Sequence, residues 1–294
     1  MVGNMDEKRT GILRGVGITR SFGRHSALAG VNVEVEAGRC LAIIGGSGSG
    51  KSTLVRILLG LDSPTSGSVD YRGLPVSGPR SAGYRALRRE SGLVFQNPFA
   101  SLDPRWTVGR SIAEPLAIGG GHSGDNSSDH AVSGRKNTDG WSARLGGLFG
   151  MGGRRRLSHD RLRGRAARAL ALTGLDPAEF LDRYPADLSG GQAQRVAIAR
   201  AVVAEPNIIA ADEPMSAIDV AARLQILDAF AAIREQRPNT ALIIVSHDLG
   251  VVQHIADRIL VLHEGLIEQE GTVAEVLGNP TSDYTRQLVA AAQW

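Results

Sequence analysis

Gly45-Gly-Ser-Gly-Ser-Gly-Lys-Ser52 is the part of this chain whose residue types and spacing most directly imply chemistry. Glycines at Gly45, Gly46, Gly48 and Gly50 let the backbone wrap so that successive N–H groups point inward, where they can cradle phosphate oxygens. Ser47 and Ser49 alternate with them, and Lys51, Ser52 and Thr53 open what reads as a helix, whose N-terminal dipole favours an anion. Lys51 would neutralise phosphate charge, and the Ser52 hydroxyl is placed to meet Mg²⁺. The chain has only three lysines, Lys8, Lys51 and Lys136, so one of them stands here. A nucleotide site also needs carboxylates. Asn207-Ile-Ile-Ala-Ala-Asp-Glu213 provides them at the end of an apolar run, with Asp212 suited to the metal and Glu213 to polarising an attacking water.

The elements that must hold these residues follow from periodicity. Val31-Asn-Val-Glu-Val35 alternates with period two, and Leu41–Ile44 is a short buried-type run that feeds the glycine loop. A helix is predicted over Lys51–Leu59, stopped by Gly60. Further buried strands are predicted at Gly92–Phe95, Asn207–Ala211 and Ala241–Val245, separated by helices that include Gly190–Ala204 and Val220–Glu235. Leu260–Leu262 and Leu266–Gln269 suggest a hairpin, and Ser282–Ala292 a last helix. This alternation predicts an α/β fold with a mostly parallel sheet covered on both faces.

Composition excludes several classes. With 294 residues, 42% hydrophobic and 21% charged, the chain can bury a real core, and wholesale disorder is excluded. A single cysteine, Cys40, rules out an internal disulfide and any multi-cysteine metal site. Met1–Gly11 has charged residues and no apolar core, unlike a secretory signal, and no apolar run approaches the roughly 18 residues of a membrane span. The expectation is therefore a soluble chain. Net charge is +3, poor support for a nucleic-acid face. Gly119–Gly153 holds eleven glycines and five serines, which predicts a flexible insertion. Seven arginines between Arg154 and Arg168, opposed only by Asp160, read as a solvated helix face or as a contact with anionic headgroups or an acidic partner.

Taken together with five further segments, these motifs resemble the ATP-binding subunits of ABC transporters over about residues 12–272. Leu188-Ser-Gly-Gly-Gln192 is similar to that family's signature, Gln96 to its glutamine loop, Ser216-Ala-Ile-Asp219 to its D-loop, and His247 to its switch histidine. Phe22 stands where the family stacks an aromatic on adenine. The resemblance implies a P-loop NTPase core with an antiparallel β subdomain, a helical subdomain at about 97–187 and an ATPase domain over 1–272. It implies ATP and Mg²⁺ as cofactors, with Ser52, Gln96 and Asp212 on the metal and Glu213, His247 and Gln96 in hydrolysis. It further implies a head-to-tail dimer in which Ser189, Gly190, Gly191 and Gln192 of one subunit reach the phosphates on the other, with Asp219 at the interface.

Gln96-Asn-Pro-Phe-Ala-Ser-Leu-Asp-Pro-Arg105, Tyr184–Gln192 and the tail over 273–294 are similar to the peptide and nickel importer group. Two departures stand out: Ser282-Asp283 replaces the His-Pro usual before Tyr284, and Met215 replaces a threonine. The implied function is ATP-driven uptake of dipeptides or oligopeptides, or alternatively of nickel or another small solute. The implied partners are separate permease subunits docking on Asn97–Trp106, a second ATP-binding subunit, identical or different, and indirectly an extracytoplasmic solute-binding protein. The chain would sit peripherally on the cytoplasmic face of the membrane. Two rival classes are an ATPase of this fold acting on nucleic acid or ribosomes, and a non-catalytic module, which would not need Glu213 and His247.

Overall fold

The computed structural model describes residues 11–119, 158–216 and 218–291. Most of the glycine- and serine-rich stretch Gly119–Gly153, together with Arg154–Arg156, lies outside the described residues. In chain order the strands are β1 (Gly11–Phe22), β2 (His25–Glu36), β3 (Cys40–Ile44), β4 (Ser66–Tyr71) and β5 (Leu74–Pro75). They continue as β6 (Ser91–Val94), β7 (Ile208–Asp212), β8 (Ala241–Val245), β9 (Arg258–His263) and β10 (Leu266–Thr272). The helices are α1 (Lys51–Leu58), α2 (Ala82–Glu90), α3 (Val108–Gly119), α4 (His159–Leu172) and α5 (Pro177–Phe180). After them come α6 (Gly190–Val202), α7 (Val220–Gln236), α8 (Leu249–Ile255), α9 (Val273–Gly278) and α10 (Asp283–Ala291).

Two sheets form. β2-β1-β4-β5 is antiparallel, and the larger sheet runs β10-β9-β3-β8-β7-β6, parallel except for β10. Every residue of β3 and β8 is buried, as a parallel sheet covered on both faces requires. Leu13, Ile18, Leu28, Leu54, Leu58 and Tyr71 fill the space between the antiparallel sheet, α1 and the large sheet. On the other face Val108, Ile112, Leu170, Ile198, Phe230 and Ile233 join α3, α4, α6 and α7 into a second core.

α6 buries nine of its thirteen residues, mostly alanine, glycine and valine, so its neighbours approach closely all round rather than along one stripe. A Cβ on Gly191 would stand 2.6 Å from the Ala222 Cβ of α7, so only glycine admits this crossing.

The arginine run resolves into particular contacts where it is described. Arg163 forks onto Asp182 at 2.8 and 2.7 Å, and Arg165 meets Glu205 at 3.1 Å and the Val203 carbonyl at 3.2 Å. These two arginines tie α4 to the turns after α5 and α6, while Arg161, Arg163 and Arg168 stay exposed, as on a solvated helix face.

Parallel strands bring their C-terminal ends to one edge, where the loops that follow converge. Here β3, β7 and β8 align so that Ile43 and Asp212 both pair with Val245. The glycine loop, Asp212–Glu213 and Ser246–His247 therefore leave the sheet side by side.

Candidate active site

Three positive-φ glycines shape the loop between β3 and α1: Gly45, Gly48 and Gly50. At Gly50, with φ 103°, an added side chain would also run into the Ala27 carbonyl. The loop is closed by Lys51, whose Nζ donates to the carbonyls of Gly45 at 2.9 Å and Gly46 at 2.7 Å. Lys51 is 6% exposed. Burial lowers its ammonium pKa, an effect opposed by the nearby carboxylates of Glu213 and Asp212. A buried cation resting on two carbonyls is poised to exchange them for phosphate oxygens.

Ser52 Oγ donates to Asp212 Oδ1 at 3.0 Å, joining the first turn of α1 to the end of β7. Burial raises the Asp212 carboxyl pKa, with the Ser52 hydrogen bond pulling the other way. Glu213 next to it adopts φ 46°, a left-handed conformation that a non-glycine residue holds at a cost of roughly 1–3 kcal/mol. Its backbone is fixed from both sides. The N–H donates to the Val245 carbonyl at 3.0 Å, and its own carbonyl accepts from Ser216 N–H and Oγ at 3.1 and 3.0 Å. The side chain is thereby aimed between two partners: Gln96 Nε2 donates to Oε2 at 3.2 Å, and His247 Nδ1 lies 3.5 Å from Oε1.

Lys51, Ser52, Asp212, Glu213, Gln96 and His247, from four separate loops, thus form one continuous cluster. Ser189, Gly190, Gly191, Gln192, Asp219 and Phe22 share no hydrogen bond or ion pair with it among the described residues. Ser189 caps α6 reciprocally with Gln192: its Oγ accepts from Gln192 N–H at 3.2 Å, and Gln192 Oε1 accepts from Ser189 N–H at 2.9 Å. That leaves the first amides of a thirteen-residue helix, Gly190 and Gly191, without partners inside the helix. A Cβ on Gly190 would meet open space. Asp219 caps α7 through Ala222 N–H at 2.9 Å. Phe22 ends β1, half exposed, with the Arg20 guanidinium 4.7 Å from its ring centre.

For two residues, Gln194 after the signature and Tyr284 in the tail, the sequence does not show the contact they make. Gln194 is fully buried and donates to the Phe95 carbonyl at 3.3 Å, supporting the backbone just before Gln96. Tyr284 reaches the glycine loop from the far end of the chain.

The model of the ABC transporter family matches residues 28–216. The chain belongs to the ABC transporter family. The matched stretch contains the glycine loop, Gln96, the Ser189–Gln192 turn and both carboxylates, while Phe22, Asp219 and His247 fall outside it. This ABC ATPase is 38% identical over 275 residues to the di/tripeptide transport ATP-binding protein DppF of Pseudomonas aeruginosa, covering 94% of this chain and 74% of that relative. It is 36% identical over 265 residues to the dipeptide transport ATP-binding protein DppF of Escherichia coli, covering 90% and 68%. Against the oligopeptide transport ATP-binding protein OppD of Mycobacterium tuberculosis the identity is 38% over 280 residues, and the chain spans 40% of that longer protein.

Among solved structures, a dimeric ATP-binding cassette in a post-hydrolysis state with ADP and Pi aligns at TM-score 0.69 and 28% identity, covering 89% of this chain and 98% of its own. The Clostridium perfringens cbiO1 cassette, part of the cbiONQ transporter complex, aligns at 0.70 and 27%, covering 92% and 91%. No described helix of this ABC ATPase is long and apolar enough to cross a membrane.

Proposed function

We propose that this ABC ATPase is the ATP-hydrolysing subunit of an importer for dipeptides or oligopeptides, working through separate permease subunits. The observation that carries the chemistry is the Glu213 carboxylate, held in a strained backbone between Gln96 and His247 and next to the Ser52–Asp212 pair. The peptide assignment is supported by the names of the relatives and by the importer-like runs Gln96–Arg105 and 273–294.

In this reading the loop from Gly45 to Thr53 holds the nucleotide phosphates with its amides, except that of Gly46, which donates to Tyr284, and Lys51 leaves its two carbonyls to meet them. Ser52 Oγ, Asp212 and Gln96 would hold Mg²⁺, which supplies neutralisation of phosphate charge when bound. Among the described residues no three acidic, histidine or cysteine side chains are arranged to hold a metal ion by themselves, so oxygens of the nucleotide and water would complete the shell. Glu213 accepts the proton of the attacking water at its carboxylate, and His247 orients that carboxylate from the Oε1 side. Gln96 holds the other oxygen, so any movement of its loop is felt at the base.

Ser189, Gly190 and Gly191 present a helix N-terminus that has no phosphate within its own chain, which suits a second subunit's nucleotide in a head-to-tail dimer. Phe22 would stack on the adenine of bound ATP. Asp219 would act at the interface. We assign residues 1–272 to the ATPase domain, with its helical subdomain at about 97–187, and 273–294 to an importer-type extension. The chain works from the cytoplasmic face of the membrane. Phe95 and Phe99 are each 44% exposed beside Gln96, an apolar surface for permease helices that would transmit docking to the base.

The test is to purify the chain from gently solubilised native membranes and identify its companions by mass spectrometry. Two permeases are expected, and with the matching solute-binding protein the reconstituted complex should hydrolyse ATP faster when supplied with short peptides. Recovery with ribosomes or nucleic acid and no permease would overturn the transport assignment while leaving the ATP site standing.

A further inference from the structure

The Gly45–Gly46 peptide unit is held on both of its sides. Its carbonyl, that of Gly45, accepts from Lys51 Nζ at 2.9 Å, and its N–H, that of Gly46, donates to the Tyr284 hydroxyl at 2.6 Å. Tyr284 lies in the first turn of α10, 238 residues along the chain from the loop it touches. Its ring stacks on His263, with centroids 3.8 Å apart and planes 11° from parallel. His263 is the last residue of β9, and the carbonyl of its neighbour Leu262 presses so closely on Gly45 that a Cβ there would collide with it. The end of β9 and the start of α10 thus brace the same point of the loop.

The approach of the tyrosine depends on glycine at position 46, where a Cβ would stand only 3.1 Å from the hydroxyl. The first turn of α10 is itself anchored. Ser282 Oγ accepts from Thr285 N–H at 3.0 Å, and Thr285 is fully buried. Gln269 of β10 accepts from Thr281 N–H at 2.8 Å. Leu288 and Val289 pack against the buried cluster that contains Ile44 and Val261. Such anchoring means that the hydroxyl is brought to the loop by the fold and does not merely swing onto it.

We propose that the C-terminal segment is a working part of the phosphate site: Tyr284 is a positioning residue that fixes the Gly45–Gly46 peptide plane and, with it, the direction of the loop amides that follow. A loop held in one orientation before nucleotide arrives has less to order when it binds. Docking of α10 and affinity for nucleotide are then linked. Whatever lifts this helix loosens the loop. The proposal rests on the reading of the loop as an ATP site and adds the C-terminal segment to it.

Tyr284→Phe keeps the ring on His263 and removes only the hydroxyl. In titrations of a fluorescent ATP analogue with Mg²⁺, the dissociation constant is expected to rise on the order of five-fold, the scale of one lost hydrogen bond. KM for ATP should rise in parallel, with kcat close to that of the wild type and the circular dichroism of the nucleotide-free variant unchanged, a split that loss of folding would not produce. Gly46→Ala crowds the hydroxyl and should weaken binding similarly, yet add little in the Tyr284→Phe background. Unchanged affinity in Tyr284→Phe, or additive losses in the double variant, would overturn the proposal. A wild-type chain that fails to bind the analogue would instead remove the ATP reading beneath it, so the two failures are told apart.

Discussion

Replacing Glu213 by glutamine is expected to stop hydrolysis while leaving ATP bound, with the rate falling on the order of 10²–10⁴-fold as for other losses of a positioned general base. The expectation follows from what the substitution leaves in place. Glutamine can occupy the same left-handed backbone, pinned by Val245 and Ser216, and its oxygen can still accept from Gln96 Nε2. What disappears is the negative charge that takes the proton from water. The phosphate cradle around Lys51 and the Ser52–Asp212 pair is untouched, so nucleotide affinity should hold. A Glu213→Gln chain loaded with Mg²⁺ and ATP should accumulate as a dimer on size exclusion with light scattering. Turnover near the wild-type rate would remove Glu213 from the base role.

Asp212→Asn is expected to separate stability from activity. Burial outweighs the Ser52 hydrogen bond and raises the carboxyl pKa of Asp212 above its ordinary value. A raised folded-state pKa contributes stability that is present below the ordinary carboxylate range and lost as pH rises through the folded value. At neutral pH the ionised side chain therefore costs stability. Asparagine is neutral and keeps an oxygen for Ser52. The nucleotide-free variant should melt higher at pH 7, by roughly 2 °C for a gain of about 1 kcal/mol, and this gain should vanish in acid, where the wild-type carboxyl is itself protonated. Hydrolysis should nonetheless fall on the order of 10²–10³-fold, because a preorganised charge at the metal position is gone. A lower melting temperature at pH 7 would mean that the carboxylate stabilises this fold.

Much of this site is legible in the sequence because its devices are local. A strand, a run of spaced glycines and a Lys-Ser pair at a helix start define the phosphate loop within a dozen residues, and β3 and α1 lie where periodicity puts them, with the helix ending one residue earlier at Leu58. β8 spans the same residues as its apolar run. Asp212 and Glu213 are legible because an apolar strand ends abruptly in acid.

Long-range geometry is not legible in the same way. That Gln96 and His247 would take opposite oxygens of one carboxylate follows from the alignment of β6, β7 and β8, which no local pattern encodes. Tyr284 reads as part of the importer-like tail, and its meeting with Gly46 depends on the whole sheet lying between them in sequence. The partners of the α4 arginines depend on long-range geometry too. Arg161, Arg163 and Arg168 lie on an exposed face, as their clustering implies, but the acids that Arg163 and Arg165 meet belong to different parts of the fold.

The central claim is that one hydrolytic site is completed by two subunits, the glycine loop of one and the Ser189–Gly191 turn of the other. Its most direct test mixes two variants of the chain that are each inactive alone. Lys51→Ala removes the phosphate lysine. Gly190→Asp places a carboxylate where this chain has only open space, so its effect must be felt outside its own fold. With the purified wild-type chain hydrolysing ATP, mixing the two variants should restore activity well above either parent, since a mixed pair holds one site whose loop and turn are both intact. A mixture as inactive as its parents, beside an active wild type, would place the whole site within a single chain and contradict the shared mechanism.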